Sequence, residues 1–108
     1  MATTYKVLGQ SAPSATTNTT LYTVPAATSA IVSTLSVCNR GVSTTFRIAV
    51  RPAGAAIANE HYVIYDSYVN AGDTIFLTLG ITLAATDVVT IYAGTANISF
   101  GLFGSEIA

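Results

Sequence analysis

Charged residues are scarce in this chain of 108 residues, and their scarcity excludes several functions. Four Lys and Arg and five Asp and Glu make up 8% of the sequence, against about 25% in typical soluble domains. The formal net charge of −1 gives no electrostatic reason to bind nucleic acid or an anionic membrane. Thr, Ser, Asn and Gln take the place of charge. Because such a surface repels other proteins weakly, it suits a protein that works docked in an assembly.

Cysteine and long apolar runs are also nearly absent. A single cysteine, Cys38, excludes a disulfide or a cysteine metal framework, and we expect it to be a small buried residue. No stretch reaches the roughly 20 apolar residues that a membrane helix needs. The first ten residues, "MATTYKVLGQ", lack the basic and apolar regions of a secretory signal. We therefore expect synthesis in the cytoplasm without secretion.

Apolar residues recur with a period of two, which is typical of half-buried strands. In "TTFRIAVRP", Phe46, Ile48 and Val50 point to one side, and Arg47 and Arg51 point to the other. The run "DTIFLTLGITL" predicts one face made of Ile75, Leu77, Leu79, Ile81 and Leu83. The run "AIVSTLSVCNR" predicts a face made of Ile31, Leu35 and Val37, opposite a face made of Val32, Thr34, Ser36 and Cys38. β-Branched and aromatic residues fill these runs, as a pleated surface favours.

Turn signals such as "NRGVS", "NAGD" and "GTAN" separate the runs. Counting between them predicts about eight strands, at residues 3–9, 20–24, 30–39, 44–51, 61–69, 74–83, 87–93 and 97–103. Short strands without a helical pattern predict an all-β fold, an antiparallel β-sandwich with a jelly-roll-like arrangement, as one domain over residues 1–108. An immunoglobulin-like sandwich is the alternative, but its paired Cys and buried Trp have no counterpart here.

Few residues invite a chemical role. Asp66, Asp73 and Asp87 fall at predicted strand ends, where carboxylates could hold calcium, but turn capping by Asp is the interpretation we favour. His61 beside Glu60 could form an acid–base pair, yet no nucleophile pattern accompanies it. We predict no catalytic residue, no cofactor and no metal site, and we expect that the protein is not an enzyme.

The arginines predict an interface. Three of the four basic residues are Arg, at positions 40, 47 and 51, and Arg is enriched in protein contact surfaces, where Lys is depleted. The carboxylates Glu60, Asp66, Asp73, Asp87 and Glu106 are candidate partners across a symmetry axis or on a neighbouring protein. The alternative is a solvated strand with incidental charges, since isolated surface ion pairs contribute little.

Three tyrosines in "HYVIYDSYV" extend this interface hypothesis. Strand alternation predicts Tyr62 and Tyr68 on one face and Tyr65 on the other. Tyrosine is enriched at interfaces because its ring adds contact area while its hydroxyl stays hydrogen-bonded. Packing in the core or at a sheet edge is the plain alternative. A sugar-binding platform is another, and the absence of Trp weighs against it.

The C-terminal segment "ISFGLFGSEIA" is apolar on both sides. Phe100 and Leu102 alternate with Gly101 and Phe103, so this strand is either central in its sheet or covered by another chain. We expect Glu106 and Ile107 to leave the body of the domain as a short end that reaches a neighbour.

Five phrases of the sequence carry a family resemblance: "TYKVLGQSAPSATTNTTLYTVPA", "FRIAVRPAGA", "HYVIYD", "LAATDVVTIYA" and "FGLFGSEIA". Together they resemble small virion proteins of tailed bacteriophages, notably phages of cyanobacteria, and modules attached to phage tail proteins. The resemblance runs over nearly the whole chain and rests on the order of strand and turn phrases.

What the resemblance implies is a virion structural protein without enzymatic activity. The first candidate is a decoration (cement) protein that binds the major capsid protein and stabilises the shell. A tail or baseplate accessory protein is the second, and a carbohydrate-binding module for host recognition is the third. The resemblance also implies a homotrimer of β-sandwiches. Arg40, Arg47, Arg51, Tyr62, Tyr65, Tyr68, Phe103, Glu106 and Ile107 are the predicted interface residues.

Overall fold

The computed structural model describes residues 2–78 and 80–108, which form two antiparallel sheets. In these residues the strands are β1 (Thr3–Ser11), β2 (Thr19–Thr23), β3 (Ser29–Asn39), β4 (Thr44–Arg51), β5 (Tyr62–Val69), β6 (Thr74–Leu77), β7 (Ile81–Leu83), β8 (Val88–Ala93) and β9 (Ile98–Ile107). Short 3₁₀ helices at Pro52–Gly54 and Asn59–His61 join β4 to β5. No helix in the described ranges is long and apolar enough to cross a membrane.

The strands divide between the sheets in a pattern that crosses repeatedly from one to the other. Sheet I has the order β1-β9-β3-β6, and β7 pairs with β3 along the same edge as β6. Sheet II has the order β2-β8-β4-β5. Successive strands therefore alternate between the sheets except at β4–β5 and β6–β7. Interleaved Greek keys of this kind define a jelly roll. The predicted all-β, jelly-roll-like sandwich is confirmed.

The core lies between the two sheets. Phe46 and Ile48 of β4 and Phe100 and Leu102 of β9 are buried, as their alternation predicts. The rings of Phe46 and Phe100 meet edge to face, with centroids 6.3 Å apart, so they join sheet II to sheet I. Burial of these apolar side chains supplies the main driving force for folding.

A β-bulge changes one predicted face. Ser33 is an extra residue in β3, because Val32 pairs with Gly104 while Thr34 pairs with Phe103. Val32 is therefore buried beside Leu35, and Ile31 lies on the outer side with 41% of its surface exposed. Placing Ile31 with Leu35 and Val37 was wrong, because one inserted residue reverses the alternation.

The predicted strand 74–83 is broken into two. β6 pairs with residues 35–38 of β3, and β7 pairs with residues 30–32. Gly80, between them, has a φ of +62°, a conformation that ends the extended run and that glycine adopts readily. Ile75, Leu77 and Ile81 pack against the core and Leu83 is buried in it, as predicted. Leu79 lies outside the described residues.

The C-terminal strand is longer than predicted. β9 lies between β1 and β3 from Phe100 to Ile107, so the central position is the correct alternative. It continues through Glu106 to Ile107, which pairs with Thr3 on one side and Ser29 on the other. The prediction that Glu106 and Ile107 leave the body of the domain was wrong, because two neighbouring strands take up their backbone hydrogen bonds.

One buried polar side chain ties the turns at one end of the sandwich. The Asn39 amide contacts the carbonyl oxygens of Val42, Val69 and Asn70 at 2.8, 3.1 and 3.2 Å, and its own oxygen accepts from the backbone N–H of Gly41 at 2.9 Å. Asn39 is 2% exposed. Its hydrogen bonds therefore satisfy polar groups that burial would otherwise leave unpaired.

Candidate interaction surfaces

The predicted interface residues do not form one surface. The outer side of sheet II carries Arg47, Arg51, Tyr62, Tyr65 and Tyr68. The outer side of sheet I carries Phe103 and Ile107, with Arg40 at its rim. Glu106 points inward, near Tyr22. The sandwich thus separates most of the set onto two opposite faces and leaves Glu106 on neither.

Arg47 is the centre of the outer side of sheet II. Its Nε donates to Asp66 Oδ1 at 2.6 Å and its Nη2 to Oδ2 at 3.3 Å. The guanidinium carbon also lies 4.2 Å from the ring centre of Tyr65 and 4.3 Å from that of Tyr92. Two aromatic rings and a bidentate carboxylate hold the guanidinium, and its hydrogen bonds to Asp66 raise the pKa of Arg47.

Bulges in β5 bring the tyrosines to this side. Between Phe46 and Ile48 of β4, the partner strand runs from Ser67 to Ile64, and it thus has one residue more. Asp66, within the bulge, has a φ of +52°. A second shift follows between Ile64 and Tyr62. Such insertions re-aim side chains.

The result is that Tyr65 shares the outer side with Tyr62 and Tyr68. The rings of Tyr62 and Tyr65 meet edge to face, with centroids 4.9 Å apart. Predicting Tyr65 on the opposite face was wrong, because period-two counting assumes an unbroken ladder. We call Arg47, Tyr62, Tyr65, Tyr68 and Tyr92 the arginine–tyrosine surface.

The two arginines of β4 are engaged within their own chain. Asp66 was predicted at a strand end, but it lies inside β5 and pairs with Arg47. The Arg51 Nε donates to Thr90 Oγ1 at 3.0 Å, and its Nη1 donates to the carbonyls of Gly54 and Ala55. Arg51 therefore holds the 3₁₀ turn that follows β4.

The remaining polar candidates have local hydrogen bonds. Asp87 accepts from the backbone N–H groups of Ala53 and Ala84, and Asp73 accepts from that of Thr74, so turn capping is the confirmed role of both. The Nδ1 atom of His61 accepts from the N–H of Ala58 at 3.1 Å. Among residues 2–78 and 80–108, no three His, Cys, Asp or Glu residues gather closely enough to hold a metal ion.

Among the described residues, register and alternation place no Asp, Glu, Lys, Arg or His of the sheet I strands on its outer side, although the side chain of Lys6 lines a hollow at the border of that side. Register and alternation place the following residues there: Thr3, Tyr5, Val7, Gln10, Ser29, Ile31, Thr34, Ser36, Cys38, Thr74, Phe76, Thr82, Ser99, Gly101, Phe103, Ser105 and Ile107. We call this set the uncharged face. Tyr5 is 85% exposed and Phe76 is 69% exposed. Cys38, predicted to be buried, is only half-buried here, because it points outward from β3.

Arg40 borders the uncharged face. Arg40 follows β3 directly, and its Nε donates to Ser99 Oγ at 2.9 Å while its Nη2 donates to the carbonyl of Ala96 at 3.3 Å. An uncharged centre with a polar rim is the usual composition of a protein–protein contact surface.

Glu106 belongs to a hydrogen-bonded cluster between the sheets, which the sequence analysis did not foresee. The Tyr22 hydroxyl donates to Glu106 Oε2 at 2.5 Å, and Lys6 Nζ lies 3.3 Å from Oε1. Burial, together with this carboxylate, raises the pKa of Tyr22. The hydrogen bond from Tyr22 lowers the pKa of Glu106, and Lys6 adds to the effect. The sequence signal was a tyrosine in the apolar run "LYTVP", since buried tyrosine hydroxyls need partners.

Comparison of the chain with protein-family models, with curated proteins and with solved structures finds no match.

Proposed function

We propose that this protein is a structural component of a tailed-phage virion, and that it decorates the capsid by binding the major capsid protein. The sequence resemblance supplies the virion setting. The observation that carries the proposal is the arginine–tyrosine surface on sheet II, which has the composition of a protein-docking site.

Tyr and Arg, with Trp, are the residue types enriched among the side chains that dominate binding energy. Tyr65 is 58% exposed and Tyr68 is 62% exposed, so their rings are free to contact a partner. Arg47 already forms an ion pair with Asp66, and the stacking of its guanidinium on Tyr65 and Tyr92 restricts its motion. A partner would therefore meet a pre-ordered surface, and little side-chain entropy would be lost on binding.

The low charge of the chain supports the same function. With 8% charged residues and a net charge of −1, neighbouring copies on a shell would repel each other weakly. Each contact need contribute only modestly, because attachment of an oligomer at several points raises the effective concentration of every further contact.

Binding to capsids tests the proposal directly. Purified protein should sediment with capsids prepared without it, and Tyr68→Ala and Arg47→Ala should weaken this binding by roughly 10-fold or more, as residues at the centre of an interface do. Val42→Ala is the matched control, because Val42 is 67% exposed and lies in a turn outside both surfaces. Wild-type protein that does not bind capsids would contradict capsid decoration.

Labelling of whole particles separates the capsid from the tail. Antibody against this protein, imaged on intact virions, should mark the shell evenly if the protein is a decoration protein. Labelling confined to the tail or baseplate would replace the capsid interpretation with the accessory one. Virions that carry no label would contradict both.

One observation favours glycan binding as a second candidate. Asn59, Tyr62 and Tyr65 line a hollow of about 380 Å³, which combines aromatic rings with an amide, as sugar sites do. A glycan array should then give a selective signal that Tyr62→Ala abolishes. An array without any selective signal would exclude this candidate and leave the structural role in place.

A further inference from the structure

We infer that the uncharged face of sheet I is the self-association surface of this protein, and that it is covered by a second copy of the same chain. Within residues 2–78 and 80–108, four of the eight exposed large apolar side chains lie on this face: Tyr5, Val7, Ile31 and Phe76. Exposed apolar side chains gathered on one face of a domain mark an interaction site.

The relief of the face provides both projections and hollows. Phe76 stands on β6 at one side of the sheet and Tyr5 on β1 at the other. Between them the strands carry small residues. Gly101 pairs with Ser36, and the ring of Phe103 lies close over Gly101, so that a Cβ there would come within 2.9 Å of the ring.

Phe103 divides the middle of the face into two hollows. The larger, about 440 Å³, is lined by side chains that include Ser36 and Cys38. The smaller, about 340 Å³, is lined by side chains that include Tyr5, Ile31 and Lys6, whose ammonium group is paired with Glu106. Projecting aromatic rings on the two sides and hollows in the middle make the face complementary to itself, since a symmetric pairing brings the same patch onto both partners.

Charge selects the occupant. A partner that brought Asp, Glu, Lys or Arg to the middle of this face would have to strip water from those ions, which is costly. The cations at its border, Lys6 and Arg40, are already engaged within their own chain. A second copy brings an equally uncharged face. The charged side chains of β4 and β5, Arg47, Arg51 and Asp66, lie on the other sheet, so they stay in water when sheet I is covered.

The area is sufficient for a specific contact. Four strands lie side by side in sheet I, which at about 4.8 Å per strand gives a width of roughly 19 Å. β9 contributes ten residues, which at about 3.3 Å each give a length of roughly 33 Å. The face therefore covers roughly 600 Å² per copy and about 1,200 Å² for a pair, at the lower end of stable specific interfaces.

Sedimentation velocity of the full chain over a wide range of concentrations tests the inference. Wild-type protein should sediment as a particle of at least two 11.1-kDa chains. Phe76→Asp, and separately Tyr5→Asp, should reduce it to one chain, because either places a charge in the covered face. Val42→Asp, at a similarly exposed apolar residue outside the face, should leave the mass unchanged. Thermal melts of each variant confirm that it is folded.

The only thiol of the chain gives an independent measurement. Cys38 lines the larger hollow, so alkylation of Cys38 should slow as the protein concentration rises and the second copy covers it. In Phe76→Asp the rate should not depend on concentration. A wild-type protein of one chain at every concentration, a Phe76→Asp protein that keeps the wild-type mass, or a thiol equally reactive at all concentrations would overturn the inference.

The experiments distinguish a failure of the self-association inference from a failure of the proposed capsid docking. Both mass and thiol reactivity are measured without capsids, so a monomeric protein that still sediments with capsids would contradict this inference and leave the proposed function. An oligomer held by the uncharged face that never binds capsids would contradict the proposed function alone.

Discussion

Replacing Tyr22 with Phe removes one hydroxyl and leaves the ring in the core. The hydroxyl donates to Glu106 Oε2 at 2.5 Å, and Tyr22 is 8% exposed. Hydrogen bonds to charged groups stabilise proteins by about 1.5–3 kcal/mol. We therefore expect Tyr22→Phe to lower the free energy of unfolding by about 2 kcal/mol at pH 7, which for a domain of this length lowers the melting temperature by roughly 8 °C.

A double-mutant cycle isolates this interaction. Urea or thermal melts of Tyr22→Phe, Glu106→Ala and the double variant should give a coupling energy of about 1–2 kcal/mol. Tyr68→Phe is the control, because it removes a hydroxyl from an exposed ring, and it should change stability by less than about 0.5 kcal/mol.

The pH dependence has a defined sign. The folded-state pKa of Glu106 is lowered by the Tyr22 hydrogen bond and by Lys6, so the stabilisation is complete above the ordinary glutamate pKa of about 4.3. It is lost as the pH falls through the lower, folded-state pKa. The pKa of Tyr22 is raised, so its contribution is present below about pH 10 and is lost at higher pH.

Tyr22→Phe and wild-type protein should therefore approach equal stability in acid. A Tyr22→Phe protein as stable as wild type at pH 7 would refute the reasoning. So would a stability difference that remains unchanged well below the ordinary pKa of glutamate.

Two further predictions concern stability. Asn39→Ala should cost roughly 3 kcal/mol in chemical denaturation, because it removes the hydrogen bonds that join the β3–β4 turn to the β5–β6 turn; the exposed Asn18→Ala is its control, and equal stability of the two variants would contradict this. Gly104→Ala should cost about 2–3 kcal/mol, because the added Cβ would collide with the Ile31 carbonyl oxygen. Gly72→Ala, in open space at a φ of +70°, should lower stability by only about 1 kcal/mol. If thermal melts showed Gly72→Ala to be the less stable of the two glycine variants, the collision expected at Gly104 would be contradicted.

The regular parts of the strands were predictable because burial acts on one side of each sheet. In β4, Phe46 and Ile48 alternate with polar residues, and the core lies where that alternation places it. The same holds for Phe100 and Leu102 of β9. Period-two patterning identifies such faces without knowledge of the strand partners.

The arrangement of the candidate surfaces was not predictable, because it depends on irregular pairing. An extra residue at Ser33 turns Ile31 outward, and the bulge at Asp66 turns Tyr65 toward Arg47. A bulge leaves no signal in the local sequence pattern, because it is defined by how the strand pairs with a partner that is distant in sequence. Arg47 was correctly placed on the outer side of β4, but Asp66 was expected to pair across an interface, and its pairing with Arg47 of the same chain was not foreseen.

Scarcity of charge, two-sided strands and an all-β architecture were determined by the sequence alone, since composition and alternation act locally. The tertiary structure decided where the few charges lie. Pairing of Thr3 with Ile107, at opposite ends of the chain, draws Glu106 inward to Tyr22. Long-range pairing of this kind also assembles the uncharged face of sheet I. The pleat sends alternate side chains of a strand to opposite sides, and the strand's partners and register decide which of those sides faces the core.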